Sequence, residues 1–192
     1  MGEPIRGTIE CVKKIFGNKP IVGVEIGIDR GKHALQILRY LNMEMLYLVD
    51  PYEPYSSKHP YTPGENPFRN YHEPSEWTTP ENTPFHTAEE RDKSYIEATR
   101  LLKNWTNAVL ILTKSENAID VIPDNLDFVY IDGNHDYDHV KQDIDLYYPK
   151  VSIGGILGGH DYHYPTIREA IYDSFQTDKV NHDKYDWWVI KE

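Results

Sequence analysis

A single cysteine, Cys11, is all the thiol chemistry this chain carries, which excludes an internal disulfide and any metal site built from several thiolates. It falls early in a helix-like segment, where a buried packing role is the ordinary one. Long apolar runs are also missing. No stretch approaches the roughly 20 apolar residues that a membrane-spanning helix needs, so no membrane association is expected. Met1 to Arg6 lacks a signal-peptide core, which makes the cytoplasm the expected compartment. Basic residues are scarce: 20 Lys and Arg stand against 31 Asp and Glu, for a net charge of -11. A surface this acidic repels phosphate backbones and anionic lipids, so the expected partner is a small molecule and not a nucleic acid. The last absence is local. No G-x-G-x-x-G follows the first strand, the pattern that brings backbone amides onto a pyrophosphate.

What is present suits one domain with a proper core: 192 residues, 39% of them hydrophobic and 27% charged. Ile5, Ile9, Val12, Ile15 and Phe16 recur at helical spacing and predict a helix over residues 4–17, lying over a sheet edge. Pro20 then introduces a buried strand over 21–26. A turn from Gly27 to Gly31 follows, then an amphipathic helix over 32–41 and a second strand over 45–50 that ends in Asp50. Strand, glycine turn, helix, strand and acid make up the mononucleotide-binding half of a doubly wound α/β fold.

From Pro51 to His86 this pattern stops. Prolines alternate with aromatic residues such as Tyr52, Tyr55 and Trp77, and each proline removes a backbone donor, which excludes a helix or an inner strand. So many aromatics are foreign to a disordered linker, and the segment reads as a lid or binding loop. Regular structure resumes with a helix over 88–104, a strand over 108–112 and a short helix over 115–121 opened by a Ser115 cap. A fourth strand (126–132), a helix (138–148), a fifth strand (152–158), a helix (166–175) and a closing strand (187–190) complete the chain.

Two of these strands deliver reactive groups at their carboxyl ends, where parallel sheets bind ligands. The fourth ends in Asp132, with Gly133, Asn134 and His135 directly after it. The fifth leads into His160, Asp161 and Tyr162. The first glycine turn reads Glu25-x-Gly27-x-x-x-Gly31, with an acid where a phosphate binder has nothing negative. That acid suits a cationic ligand, a description that the sulfonium and α-amino groups of S-adenosylmethionine meet.

With these residues in hand, the chain resembles the class I S-adenosylmethionine-dependent methyltransferases. It is most similar to the macrocin-type sugar O-methyltransferases, and more distantly to the catechol-type enzymes. The resemblance rests on four stretches in order: Val24 to Gly31, Leu46 to Tyr52, Asp127 to His135, and Gly154 to Tyr162. It implies an α/β, doubly wound, Rossmann-like seven-stranded sheet with an antiparallel last strand. The chain would be a single domain over residues 1–192, with 51–87 as an aromatic, proline-rich insertion after strand two.

The resemblance also implies site roles. Glu25, Gly27 and Gly31 shape the methionine pocket, Asp50 accepts from the ribose hydroxyls, Ser115 and Glu116 lie by the adenine, and Asp132 faces the methyl group. His135 matches the position of the general base in the sugar O-methyltransferases. In the metal-dependent relatives the acid ending strand four and two acids ending strand five hold Mg²⁺; here Asp132 and Asp161 keep two places and His160 takes the third. The site is thus expected to hold Mg²⁺, to prefer Mn²⁺ or another metal that tolerates imidazole, or to hold none. Tyr162 and His163 are expected at the substrate mouth. The implied activity is O-methylation of a hydroxylated small molecule such as a sugar, natural product or catechol, by a protein that pairs into homodimers. Two other readings stay open: an S-adenosylmethionine-binding protein that transfers no methyl group, and an NAD(P)-dependent oxidoreductase, against which Glu25 and the missing glycine spacing argue.

Overall fold

A computed structural model describes residues 4–54, 87–183 and 185–192. The strands β1 (Ile21–Ile26), β2 (Met43–Val49), β3 (Ala108–Ile111), β4 (Leu126–Ile131), β5 (Val151–Gly159), β6 (Asn181–His182) and β7 (Trp187–Ile190) form one sheet in the order β3-β2-β1-β4-β5-β7-β6. Pairing is parallel from β3 through to β5, and β7 runs antiparallel to both of its neighbours. This is the seven-stranded, doubly wound arrangement that the resemblance implied. Only β6, two exposed residues, had no apolar run to announce it.

Alternation along the central strands builds a core on each face of the sheet. In β4, Phe128 and Tyr130 pack with Ile37 and Leu38 of α2 (Lys32–Tyr40), Ala98 of α3 (Ala88–Leu102), and Ile9 and Val12 of α1 (Gly7–Phe16). The intervening Val129 and Ile131 pack with Ala118 of α4 (Ser115–Ala118), Val140 and Ile144 of α5 (Tyr137–Tyr147), and Ile167 and Ile171 of α6 (Pro165–Ser174). Helices thus cover both faces, and the carboxyl ends of β1, β2 and β4 are left to line a cleft.

Several boundaries differ from the sequence reading, for local reasons. Residues 4–6 are not helical: Arg6 is the extended N-cap of α1. That helix packs on α2, β5 and β7. The short helix α4 is capped by Lys114 and not by Ser115, which is its first helical residue, and it stops at Ala118. In contrast, α3 opens with a full capping box, in which the Thr87 hydroxyl accepts from the Glu90 amide and Glu90 accepts from the Thr87 amide. Most of the expected lid, including Tyr55 and Trp77, lies outside the described residues.

Candidate active site

A cavity of about 1050 Å³ opens at the carboxyl edge of the sheet. One end is set by the turn after β1. Gly27, at φ 83°, cannot carry a side chain: a Cβ there would sit 2.2 Å from the backbone oxygen of Asp132. This close approach, with the Asp132 amide donating to the Ile26 carbonyl at 2.7 Å, joins the ends of β1 and β4. Glu25 and Asp132 therefore stand on the same cavity wall. Gly31, also expected to shape the pocket, packs instead against Ala98 behind it and starts α2.

Glu25 is buried, with Oε1 2.9 Å from Nδ1 of His33 and no partner for Oε2 among the described residues. Burial pushes its carboxyl well above the ordinary range, and burial likewise holds the His33 imidazole down to about 3, so the pair is favoured in its neutral form. Glu25 lines the cavity, and a buried carboxyl with an oxygen unpartnered among the described residues suits a cationic group, as the amino group of S-adenosylmethionine is.

Asp50, at the end of β2, is saturated. It accepts from the amides of Ile28 at 2.9 Å, Asp29 at 3.1 Å and Tyr52 at 2.7 Å. Arg91 of α3 adds Nη2 at 3.0 and 3.1 Å to the two oxygens, both partners being buried. The Tyr52 ring lies under that guanidinium, 5.2 Å from it, and the Tyr52 hydroxyl donates to the Asp29 carbonyl. Ser115 and Glu116 lie on the cavity wall at the start of α4.

The third group gathers at the ends of β4 and β5. Nε2 of His135 lies 3.0 Å from Oδ2 of Asp161, and Nδ1 of His160 lies 3.1 Å from Oδ1 of the same carboxylate and 3.9 Å from Asp132. Asp161 adopts φ 58°, a left-handed conformation unusual outside glycine. Burial opposes charge on the two imidazoles, but Asp161 and Asp132 outweigh it and raise both. The same rings hold the Asp161 carboxyl far below the usual carboxylate range against the opposing effect of its burial. Asp132, His135 and Asp161 each place one donor atom within 4.8 Å of the others, a spacing that suits a cation. His135 thus joins Asp132 and Asp161, while His160, the expected third ligand, lies beside them on the same carboxylates.

Sequence reasoning missed four residues. Arg6 donates from Nη1 to Asp132 at 3.1 Å and to the Tyr130 hydroxyl at 2.7 Å; Tyr130 in turn donates to Asp186, which also accepts the Thr8 amide. A lone arginine near the start of a chain gives no signal of this. Arg91 sits among polar helix residues and gives none either. His33 and Asp143 were legible: each interrupts the buried stripe of its helix with a polar group. Tyr162 was expected at the mouth, yet it is buried against α6, with its hydroxyl on that of Tyr172.

Comparison with known proteins agrees with this geometry. A family profile described as a methyltransferase domain matches residues 24–162, well over half of the chain. The chain belongs to that methyltransferase family. In family and fold this methyltransferase is of the class I, S-adenosylmethionine-dependent kind, similar to O-methyltransferases. The O-methyltransferase NovP superposes with a TM-score of 0.61 at 18% identity, over 95% of this chain and 77% of that one. A putative rRNA-methylase from Clostridium thermocellum superposes with the same TM-score of 0.61 at 13% identity, over 100% of both chains. In sequence, Uncharacterized protein R132 of Acanthamoeba polyphaga mimivirus is 41% identical over 44 residues, which span 23% of this methyltransferase but only 20% of that protein.

Proposed function

We propose that this methyltransferase acts on the hydroxyl group of a small molecule, with the Asp132, His135, His160 and Asp161 cluster as its reaction centre. The carrying observation is the His135–Asp161 pair, 3.0 Å apart, on the same cavity as the unpartnered Glu25 oxygen. A proton acceptor and a cation-binding carboxylate on one cavity are what supports this reading. Glu25 receives the donor's amino group, and the Gly27 turn lets the donor approach the strand ends. His135 takes the proton that the acceptor hydroxyl gives up as its oxygen bonds to the methyl carbon and the sulfur–carbon bond breaks. Asp161 orients that imidazole and stabilises its charged form. Most of the rate comes from alignment of the two reactants in a closed, water-poor site.

Two carboxylates and two imidazoles also fit a divalent metal, and the mixed set favours Mn²⁺ or a similar ion over Mg²⁺. Asp132, Asp161 and His135 would hold it, with His160 beside them; a metal-bound His135 has no lone pair left for the proton, so in that state the ion would activate the acceptor hydroxyl by Lewis acidity in its place. A small acceptor is favoured over RNA by the net charge of -11, which opposes a phosphate backbone.

The test is turnover of S-adenosylmethionine against a panel of sugars, catechols and other hydroxylated compounds, with Mn²⁺, with Mg²⁺ and with a chelator. The reading expects S-adenosylhomocysteine release that needs an acceptor hydroxyl and falls sharply in Asp161→Asn. Binding of the donor without transfer to any hydroxyl, or transfer only to amines or RNA, overturns it.

A further inference from the structure

Arg6 lines the cavity beside Asp132, although it belongs to the stretch ahead of α1, far in sequence from either strand end. Its place is fixed from behind. Asp186, 1% exposed, accepts the Thr8 amide on Oδ2 at 3.1 Å and the Tyr130 hydroxyl on Oδ1 at 2.9 Å. One buried carboxylate thus holds both the first turn of α1 and the phenol that receives Arg6. Gly7 lets the helix start close in, since a Cβ there would overlap Oδ2 of Asp183 just after β6. From that anchor Nη1 of Arg6 reaches the Tyr130 hydroxyl at 2.7 Å and Oδ2 of Asp132 at 3.1 Å. Burial opposes the guanidinium charge, but Tyr130 and Asp132 outweigh it and hold Arg6 above its ordinary value. Asp161, the other carboxylate of the cluster, has His135 at 3.0 Å and His160 at 3.1 Å. Each carboxylate therefore has a basic partner already, and of these partners Arg6 is the permanent cation.

We infer that Arg6 is a built-in cation that competes with a divalent metal for Asp132 and so leaves the acceptor hydroxyl to the His135 base. The inference rests on the reading of this cluster as the reaction centre, and adds a charge that the donor set alone does not reveal. A guanidinium has no lone pair for a metal and keeps its proton throughout the working range of a protein, so it is neither a ligand nor a neutral bystander. Its effect on a metal has two opposing parts. By fixing Oδ2 it spares the ion the cost of ordering Asp132, a gain of about two- to fivefold in affinity for a short side chain. By its charge it repels the ion. A unit and a double charge about 6 Å apart, as when two cations share a carboxylate, repel by about tenfold in affinity even at the dielectric of bulk water, and by more beside a half-buried carboxylate. Repulsion wins. A metal then binds Asp132 well only if Arg6 swings away, which the Tyr130–Asp186 anchor resists.

Electron paramagnetic resonance of free Mn²⁺, titrated into the full chain at one fixed pH without donor or acceptor, tests this. Arg6→Gln keeps a hydrogen-bond donor and loses the charge, so it should bind Mn²⁺ about tenfold or more tightly than wild type. Arg6→Lys keeps the charge and should bind as weakly as wild type. Asp132→Asn added to Arg6→Gln should cancel the gain, which assigns the ion to this cluster. Melting curves check that every variant folds, and Arg6→Met, similar in length and uncharged, replaces Arg6→Gln if the amide variant does not. Mn²⁺ uptake by Arg6→Gln that is absent, equal to wild type or weaker overturns the inference. So does a gain that Arg6→Lys shares or that survives Asp132→Asn, and so does wild-type methyl transfer that stops in a chelator. Absence of transfer to any hydroxyl, with the Mn²⁺ ranking as expected, overturns the proposed function and keeps Arg6 as the competitor for Asp132.

Discussion

Nη2 of Arg91 sits between the two oxygens of Asp50, at 3.0 and 3.1 Å, inside the cavity wall. The pair ties α3 to the end of β2, and with three backbone amides it fills every acceptor position on that carboxylate. Any ribose hydroxyl bound there must displace one of these donors. Removing Arg91 leaves a buried carboxylate held by amides alone. Arg91→Ala is therefore expected to lose about 3 kcal/mol of stability, the lower end for a broken buried pair. Urea unfolding of wild type and variant measures it, and a difference under about 0.5 kcal/mol, the size of an ordinary surface change, would show that the pair is dispensable.

The His135–Asp161 pair makes the rate depend on pH in a fixed direction. His135 is raised above its ordinary value, so it becomes a free base only as pH rises through that raised value, and kcat/KM should climb over the same interval. Asp161→Asn removes the partner that raises it most, and the climb should move to lower pH. His135→Gln should lose about 10²- to 10⁴-fold in rate. A pH profile identical in wild type and Asp161→Asn would rule out His135 as the base.

Stability follows the same linkage. The His135 contribution is present in full below its unfolded pKa of about 6.5 and is lost as pH rises through the folded value. Asp161 is depressed, so its contribution is present above about 3.9 and is lost as pH falls through its lower folded value. Melting curves of wild type against His135→Gln should accordingly diverge on the acid side of neutrality and converge on the alkaline side. Parallel offsets at every pH would contradict this.

Glu25 leads to a fourth expectation, on donor binding. Burial raises its carboxyl and leaves Oε2 without a partner, so an incoming ammonium group favours the carboxylate and expels a proton. Calorimetry of S-adenosylhomocysteine binding in two buffers of different ionisation enthalpy should report release of up to about one proton. Glu25→Gln should abolish that buffer dependence and weaken binding. Equal proton release by the variant would assign the proton elsewhere.

The strands, helices and cavity edge were legible in sequence because their signals are local. An apolar run bounded by glycine or proline makes β1, β4 and β5 recognisable, and an acid directly after such a run needs no partner to be noticed. Asp50, Asp132 and Asp161 were found in this way. Ser115 was misread as a cap because hydroxyl residues favour that position, whereas here Lys114 supplies the extended backbone that starts the helix.

By itself, then, the sequence determined the order of strands and helices, the acids and imidazoles at the strand ends, and a net charge of -11. Only the tertiary structure decided which of those groups are committed and which are open. Arg6 reaches Asp132 across 126 positions, Arg91 reaches Asp50 across 41, and His135 meets Asp161 through a left-handed turn. No local pattern encodes such pairings. They arise because packing helices onto both faces of a twisted sheet draws distant side chains into one low-dielectric space, where each buried charge has to find a partner.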